Sequence, residues 1–88
     1  MKVTLIKADG TVSDVASDRK LSLEEMQKLV GGYIERVRIS GGEMYVDEEG
    51  LIKQLPLNLR ASMLAGRELV GNALVFTRKV RGAKVLKN

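Results

Sequence analysis

The pattern of apolar and polar residues divides the chain into short segments separated by turns that contain glycine. Five segments have the β-branched or alternating pattern of strands, at residues 3–8, 11–15, 33–39, 43–47 and 73–77. Residues 51–53 carry a shorter version of the pattern and predict a sixth, short strand. Because residues 73–76 are all apolar, the last strand is predicted to be central in its sheet.

The first predicted helix has a clear beginning and end. Ser22 and Glu25 have the spacing of a capping box, in which each side chain bonds the backbone amide of the other residue. Gly31 supplies the left-handed residue that commonly follows a helix, so the helix is predicted at Leu23–Val30. The residues expected to face the core are Leu23, Met26 and Val30.

A second helix is predicted shortly after Pro56, which favours an extended conformation for the residue before it. Asn58 is well suited to cap the N-terminus of a helix at Leu59–Ala65, and Gly66 to end it. The residues expected to face inward are Leu59, Ala61, Met63 and Leu64.

The predicted element order is β-β-α-β-β-(β)-α-β, with the segment 51–53 in parentheses. Such an order, rich in hairpins, predicts an α+β fold: a small, mostly antiparallel sheet with two short helices. Residues 1–77 are predicted to form a single α+β domain, and residues 78–88 a basic C-terminal tail. The strand faces mix apolar and polar residues, which suits a sheet with one face exposed to water.

The composition excludes several kinds of catalytic and metal site. The chain has no His and no Cys, so imidazole bases, Cys-His and Ser-His-Asp nucleophiles and thiolate metal sites are absent. The acidic run at 47–49 does not form an EF-hand, because the twelfth position counted from Asp47 is Asn58 and not Glu. We therefore expect no enzyme activity, no metal and no cofactor.

The positive charge is concentrated at the C-terminus. The formal net charge is +4, yet residues 1–77 contain slightly more acidic than basic residues. The basic residues of the tail are Arg78, Lys79, Arg81, Lys84 and Lys87. This tail either increases solubility or contacts the phosphates of a nucleic acid.

Strand alternation places Arg36 and Arg38 on the same face of a strand. With Tyr33 or Tyr45 nearby, the two arginines could form a small platform for a nucleic-acid strand. The alternative is a solvated sheet face on which the arginines pair with Glu35 or Glu43.

Five motifs follow one another along the chain, at residues 3–10, 22–35, 45–50, 55–61 and 70–73. Together they resemble the domain-of-unknown-function 3846 family, over roughly residues 2–77 and without the basic tail. Members occur in tailed phages and bacterial mobile elements, so the resemblance implies a small accessory role during infection or transfer. It implies no catalytic residues. The shared positions are typical of turns, caps and a common fold: Gly32, Gly50, Pro56, Asn58, Ala61 and Gly71.

These observations lead to three hypotheses of function. In the first, the protein binds a host protein, with strand edges recruiting that partner or a second copy of the chain. In the second, it binds nucleic acid through the tail together with Arg36 and Arg38. In the third, it sequesters a small nucleotide signal at an oligomer interface.

The sequence also predicts where the protein acts. It contains no apolar run of the roughly 18 residues that a membrane span needs, and the apolar run at its start is too short for a signal peptide. The absence of cysteine fits a reducing compartment. We therefore expect no membrane association and a location in the cytoplasm of a bacterial or archaeal host.

Overall fold

One antiparallel sheet organises the structure. The computed structural model describes residues 2–15 and 20–77. Their elements are β1 (Lys2–Ile6), β2 (Val12–Asp14), α1 (Leu23–Val30), β3 (Ile34–Ile39), β4 (Gly42–Asp47), α2 (Leu59–Ala65) and β5 (Ala73–Thr77). The five strands lie in the order β2-β1-β5-β4-β3, so β5 is central as its apolar sequence predicted. The small α+β fold is thereby confirmed.

The predicted strand at residues 51–53 is wrong. This segment forms a turn in which the Lys53 amide donates to the Glu49 carbonyl and the Leu55 amide to the Gly50 carbonyl. Gln54 has a positive φ of 59°, a left-handed conformation that an extended strand does not contain. The observed order is therefore β-β-α-β-β-α-β.

The two helices cover opposite faces of the sheet. On the α2 side, the buried residues of the core are Ile6, Val37, Met44, Val46, Ala61, Leu69, Ala73 and Val75. On the α1 side, the buried residues are Leu5, Val30 and Leu74. Neighbouring residues of β5 alternate between these two cores, as the twofold period of a strand requires. Each face of the sheet therefore carries an apolar core.

Helix α1 begins and ends where the sequence predicted. The Ser22 amide donates to the Glu25 carboxylate at 2.8 Å, and the Glu25 amide to the Ser22 hydroxyl at 3.1 Å. Gly31 follows the helix with a φ of 103°. Leu23 is 58% exposed, contrary to prediction, because the helix contacts the sheet through residues nearer its C-terminus.

Helix α2 also has the predicted ends, but a different side faces the core. Ala61 is fully buried and Ala65 packs against the same core, so these small residues one turn apart form the contact. Leu59 and Met63 lie two positions away, about 200° around the helix at about 100° per residue. They are 65% and 75% exposed, so the prediction that they face inward is wrong.

The Asn58 side chain joins the start of α2 to two strands. Its Oδ1 atom accepts a hydrogen bond from the Ala61 amide at 3.0 Å, which caps the helix. Its Nδ2 group donates to the carbonyl of Ile6, at the end of β1, and to the carbonyl of Gly71, just before β5. Asn58 is 1% exposed, so its side chain has little access to water and its polar atoms are satisfied by these bonds.

We predict that Asn58→Ala lowers the free energy of unfolding by about 2–4 kcal/mol, because a helix cap is lost and two carbonyls lose a donor. Urea denaturation measures this change. Asn58→Asp is the matched control, since it keeps the shape and a capping oxygen but places its other oxygen against the two carbonyls. If Asn58→Asp were as stable as the native protein, the proposed role of the Nδ2 donor would be wrong.

Candidate binding surface

Two arginines of the outer strand β3 lie on the same face of the sheet as α1. In the β3–β4 register, Arg36 is opposite Tyr45 and Arg38 is opposite Glu43. Glu43 is in turn opposite Phe76 of β5. These residues form a continuous patch, which we call the arginine face: Arg36, Arg38, Glu43, Tyr45 and Phe76.

Glu43 is the hydrogen-bond acceptor at the centre of the arginine face. Its carboxylate accepts a hydrogen bond from the Tyr45 hydroxyl at 2.6 Å and lies 3.7 Å from the Arg36 guanidinium. The hydrogen bond to Glu43 raises the pKa of Tyr45, and partial burial of the hydroxyl raises it further. The Tyr45 ring meets Phe76 edge to face, with centroids 5.6 Å apart. The charge of Arg36 is thus partly balanced within the protein.

Arg38 differs from Arg36 in its surroundings. Within residues 2–15 and 20–77, its side chain has no hydrogen bond and no ion pair, and it is exposed. It borders an open cavity of about 340 Å³ near the β3–β4 turn. The residues lining this cavity are Arg36, Arg38, Ile39, Gly41, Gly42 and Glu43. No side chain in the described part of the chain engages Arg38, which makes it a candidate contact for a ligand or partner.

The cavity lies next to the point where the described part of the chain ends. Gly42 is opposite Thr77 in the β4–β5 register, and Thr77 is followed directly by the basic segment. A Cβ atom on Gly42 would overlap the Phe76 carbonyl oxygen, so the close approach of the two strands requires glycine here. The five predicted tail residues, Arg78, Lys79, Arg81, Lys84 and Lys87, lie outside the described residues.

Of the residues predicted to lie near the two arginines, Tyr45 and Glu43 do so. Tyr33 and Glu35 do not. Tyr33 precedes β3 and is 67% exposed, outside the arginine face. Glu35 lies on the opposite face of the sheet, where its carboxylate is 3.7 Å from the Arg67 guanidinium. Strand alternation explains this, because residues 35 and 36 must face opposite ways.

Sequence reasoning did not identify the outer edge of β3 as a surface. All six residues of β3 pair with β4 on one side, and no strand of the described residues pairs on the other. The opposite edge of the sheet, β2, has only three residues. A short edge strand offers few free backbone groups, so β3 is the longer open edge.

A group of exposed apolar side chains on and near α2 was also missed. They are Leu57, Leu59, Met63 and Leu64, each between 47% and 75% exposed. Their spacing did not distinguish them from core residues, because it resembles that of a core-facing helix stripe.

The acidic turn after β4 forms an ion pair. The Lys53 ammonium lies 2.8 Å from an Asp47 carboxylate oxygen, and the Glu49 amide donates to the other oxygen at 2.8 Å. A Cβ atom on Gly32 would lie 2.6 Å from the Lys53 nitrogen, so glycine leaves room for the pair. No group of three or more acidic, His or Cys side chains in the described part of the chain is arranged to hold a metal ion.

Comparison with known proteins identifies the family of the chain. The model of a domain of unknown function, DUF3846, matches residues 1–85. The chain belongs to this family. The match continues past residue 77, so the expectation that the basic tail lies outside the family region is wrong for residues 78–85. No curated protein and no solved structure matches this DUF3846 chain.

No helix among the described residues of this DUF3846 protein is long and apolar enough to span a membrane. Both described helices have eight residues or fewer.

We predict that the ion pair between Asp47 and Lys53 makes the protein less stable at acidic pH. Burial alone would raise the pKa of Asp47, but the hydrogen bonds from Lys53 and Glu49 and the lysine charge outweigh it and hold this pKa below its ordinary value. Since the carboxylate is favoured in the folded state, its contribution is present above the pKa of the unfolded chain and is lost as pH falls through the folded pKa.

Asp47→Asn should therefore cost about 2 kcal/mol at neutral pH and reduce the acid dependence of stability. Urea midpoints measured between neutral and acidic pH test this. Exposed Glu48→Gln is the control and should leave the pH dependence nearly unchanged. The same acid dependence in Asp47→Asn and the native protein would show that the pair contributes nothing.

Proposed function

We propose that this protein is a non-catalytic accessory protein of a phage or mobile element that binds a host protein in the bacterial or archaeal cytoplasm. The proposed contact is the outer edge of β3, to which the partner adds a strand. The observation that carries the proposal is this six-residue edge, which no strand of the described residues pairs with on its outer side and which includes Arg38, a residue without an ion pair among them.

Strand addition suits the geometry of β3. The backbone groups of an edge strand that point away from its neighbour are ready-made hydrogen-bond donors and acceptors for another extended chain. Main-chain hydrogen bonds supply affinity in such complexes, and side chains on the two faces supply specificity. The accessory role is supported by the family resemblance described above.

A role without catalysis is supported by the residue inventory. The chain has no His or Cys, and Asp47, the most buried carboxylate among the described residues, is held by Lys53. Glu43 is likewise engaged by Tyr45 and Arg36. The carboxylates best placed for acid-base chemistry thus have partners inside the protein.

Nucleic-acid binding is the second candidate. It is favoured by one observation: the basic tail follows Thr77, which lies opposite Gly42 at the cavity beside Arg36 and Arg38. The described chain therefore ends, at Thr77, beside the strand turn that carries these two arginines. Such a basic region would contact phosphates and show strong salt dependence.

To test protein binding, a photo-cross-linking amino acid replaces Ser40, the exposed residue directly after β3, in the full-length protein expressed in host cells. We expect covalent adducts with a protein partner, identified by mass spectrometry, because residue 40 borders the proposed contact and Arg38 stays in place. The matched control places the same amino acid at the exposed position of Met63 on the other side of the sheet. Adducts formed only from position 63 would assign binding to α2, and no protein adduct from either position would contradict the proposal.

The nucleic-acid candidate is tested by fluorescence anisotropy with labelled single- and double-stranded DNA and RNA at low and near-physiological salt. It predicts binding that weakens by about tenfold or more over this salt range. Replacing the five basic tail residues by Gln should abolish it, and Arg38→Gln should reduce it. Absent or salt-insensitive binding would eliminate this candidate.

A further inference from the structure

We propose that the edge of β3 binds an extended segment of another protein in which acidic and apolar residues alternate. This inference rests on the proposed function and specifies the partner of the same site. It is based on the side chains that β3 carries on each face, and on the repulsion that they would exert on a second copy of this chain.

The side chains of β3 set the pattern of a complementary strand. Arg36 and Arg38 lie on the α1 face, and Val37 and Ile39 lie on the α2 face against its core. Residues directly opposite each other in paired strands share a face and interact through their side chains. A partner strand would therefore have acidic residues opposite the two arginines and an apolar residue between them, opposite Val37.

Of the two arginines, Arg38 is expected to contribute more to binding an acidic residue. Arg36 already lies 3.7 Å from Glu43, whereas Arg38 has no ion pair in residues 2–15 and 20–77. The cavity of about 340 Å³ beside it leaves its guanidinium room to turn toward an added strand. Arginine is also suited to bind a carboxylate through two parallel hydrogen bonds.

The same two arginines disfavour a second copy of this chain as the occupant. A twofold axis normal to the sheet would pair two β3 strands antiparallel, with the α1 faces on the same side. If the axis passes through Val37, Arg36 of each copy faces Arg38 of the other, and if it passes through either arginine, that residue faces itself. These three central registers place like charges directly opposite, which is destabilising.

The open edge of β3 is therefore expected to distinguish between partner strands by their charge. Charged side chains on an edge strand are a known means of preventing edge-to-edge association. Here they would repel an identical edge and attract an acidic one. The expected partner is an acidic strand from a different protein.

The test uses the full-length protein and fluorescein-labelled peptides in anisotropy titrations. One peptide alternates glutamate and valine, and its matched control alternates lysine and valine. A third peptide has the glutamate sequence with N-methylated amides along one edge, which removes the donors needed for strand addition. We expect the glutamate peptide to bind, and the lysine and N-methylated peptides to bind at least about tenfold more weakly.

Two variants locate the binding site. Arg38→Glu should weaken binding of the glutamate peptide by about tenfold, and Arg38→Gln by a smaller factor. Arg60→Glu makes the same charge change at an exposed position of α2, on the other side of the sheet, and should change affinity less than twofold. Circular dichroism checks that each variant is folded.

Several results would overturn the inference: no binding of the glutamate peptide, equal binding of the lysine or N-methylated peptide, or equal effects of Arg38→Glu and Arg60→Glu. A native dimer joined through β3 would also overturn it, since the edge would then accept a second copy. If cross-linking from position 40 identifies a protein segment without acidic residues, this inference fails while the proposed function stands. If no protein is cross-linked, the proposed function itself fails.

Discussion

The hydrogen bonds of Asn58 connect the parts of the fold that are distant in sequence. One buried side chain caps α2 and also holds the end of β1 and the turn before β5, through the carbonyls of Ile6 and Gly71. Ala61, one turn into the helix, is consequently pressed against the sheet with no exposed surface. Since β1 and β5 are paired at the centre of the sheet, the position of α2 relative to both strands depends on this amide.

Coverage of both faces by helices determines where the sheet can meet another molecule. The α1 and α2 cores occupy opposite faces, and the backbone groups without a neighbouring strand lie at the two edges, β2 and β3. The two edges are unequal, because β2 has three residues and β3 has six. The longer edge also carries the two arginines, one of them balanced by Glu43 and the other unpaired within the described residues. Geometry and charge therefore favour the same edge.

Features set by neighbouring residues could be predicted from the sequence, and features set by distant contacts could not. The ends of both helices follow from Ser22, Asn58 and the terminal glycines. The shared face of Arg36 and Arg38 follows from strand alternation. The buried side of α2 could not be predicted, because the small residues Ala61 and Ala65 pack against the sheet while the larger Leu59 and Met63 are exposed. Strand order, and hence the open edge of β3, likewise arises only from pairing between distant segments.

The central claim is that the outer edge of β3 is open in the free protein. Amide hydrogen exchange of the full-length chain, followed residue by residue by NMR, tests it most directly. In an antiparallel edge strand, only alternate amides bond to the neighbouring strand. The account predicts alternation along Ile34–Ile39, with slow exchange for amides directed at β4 and fast exchange for those directed outward. Slow exchange at every amide of β3 would show that the edge is already covered, which would contradict the account.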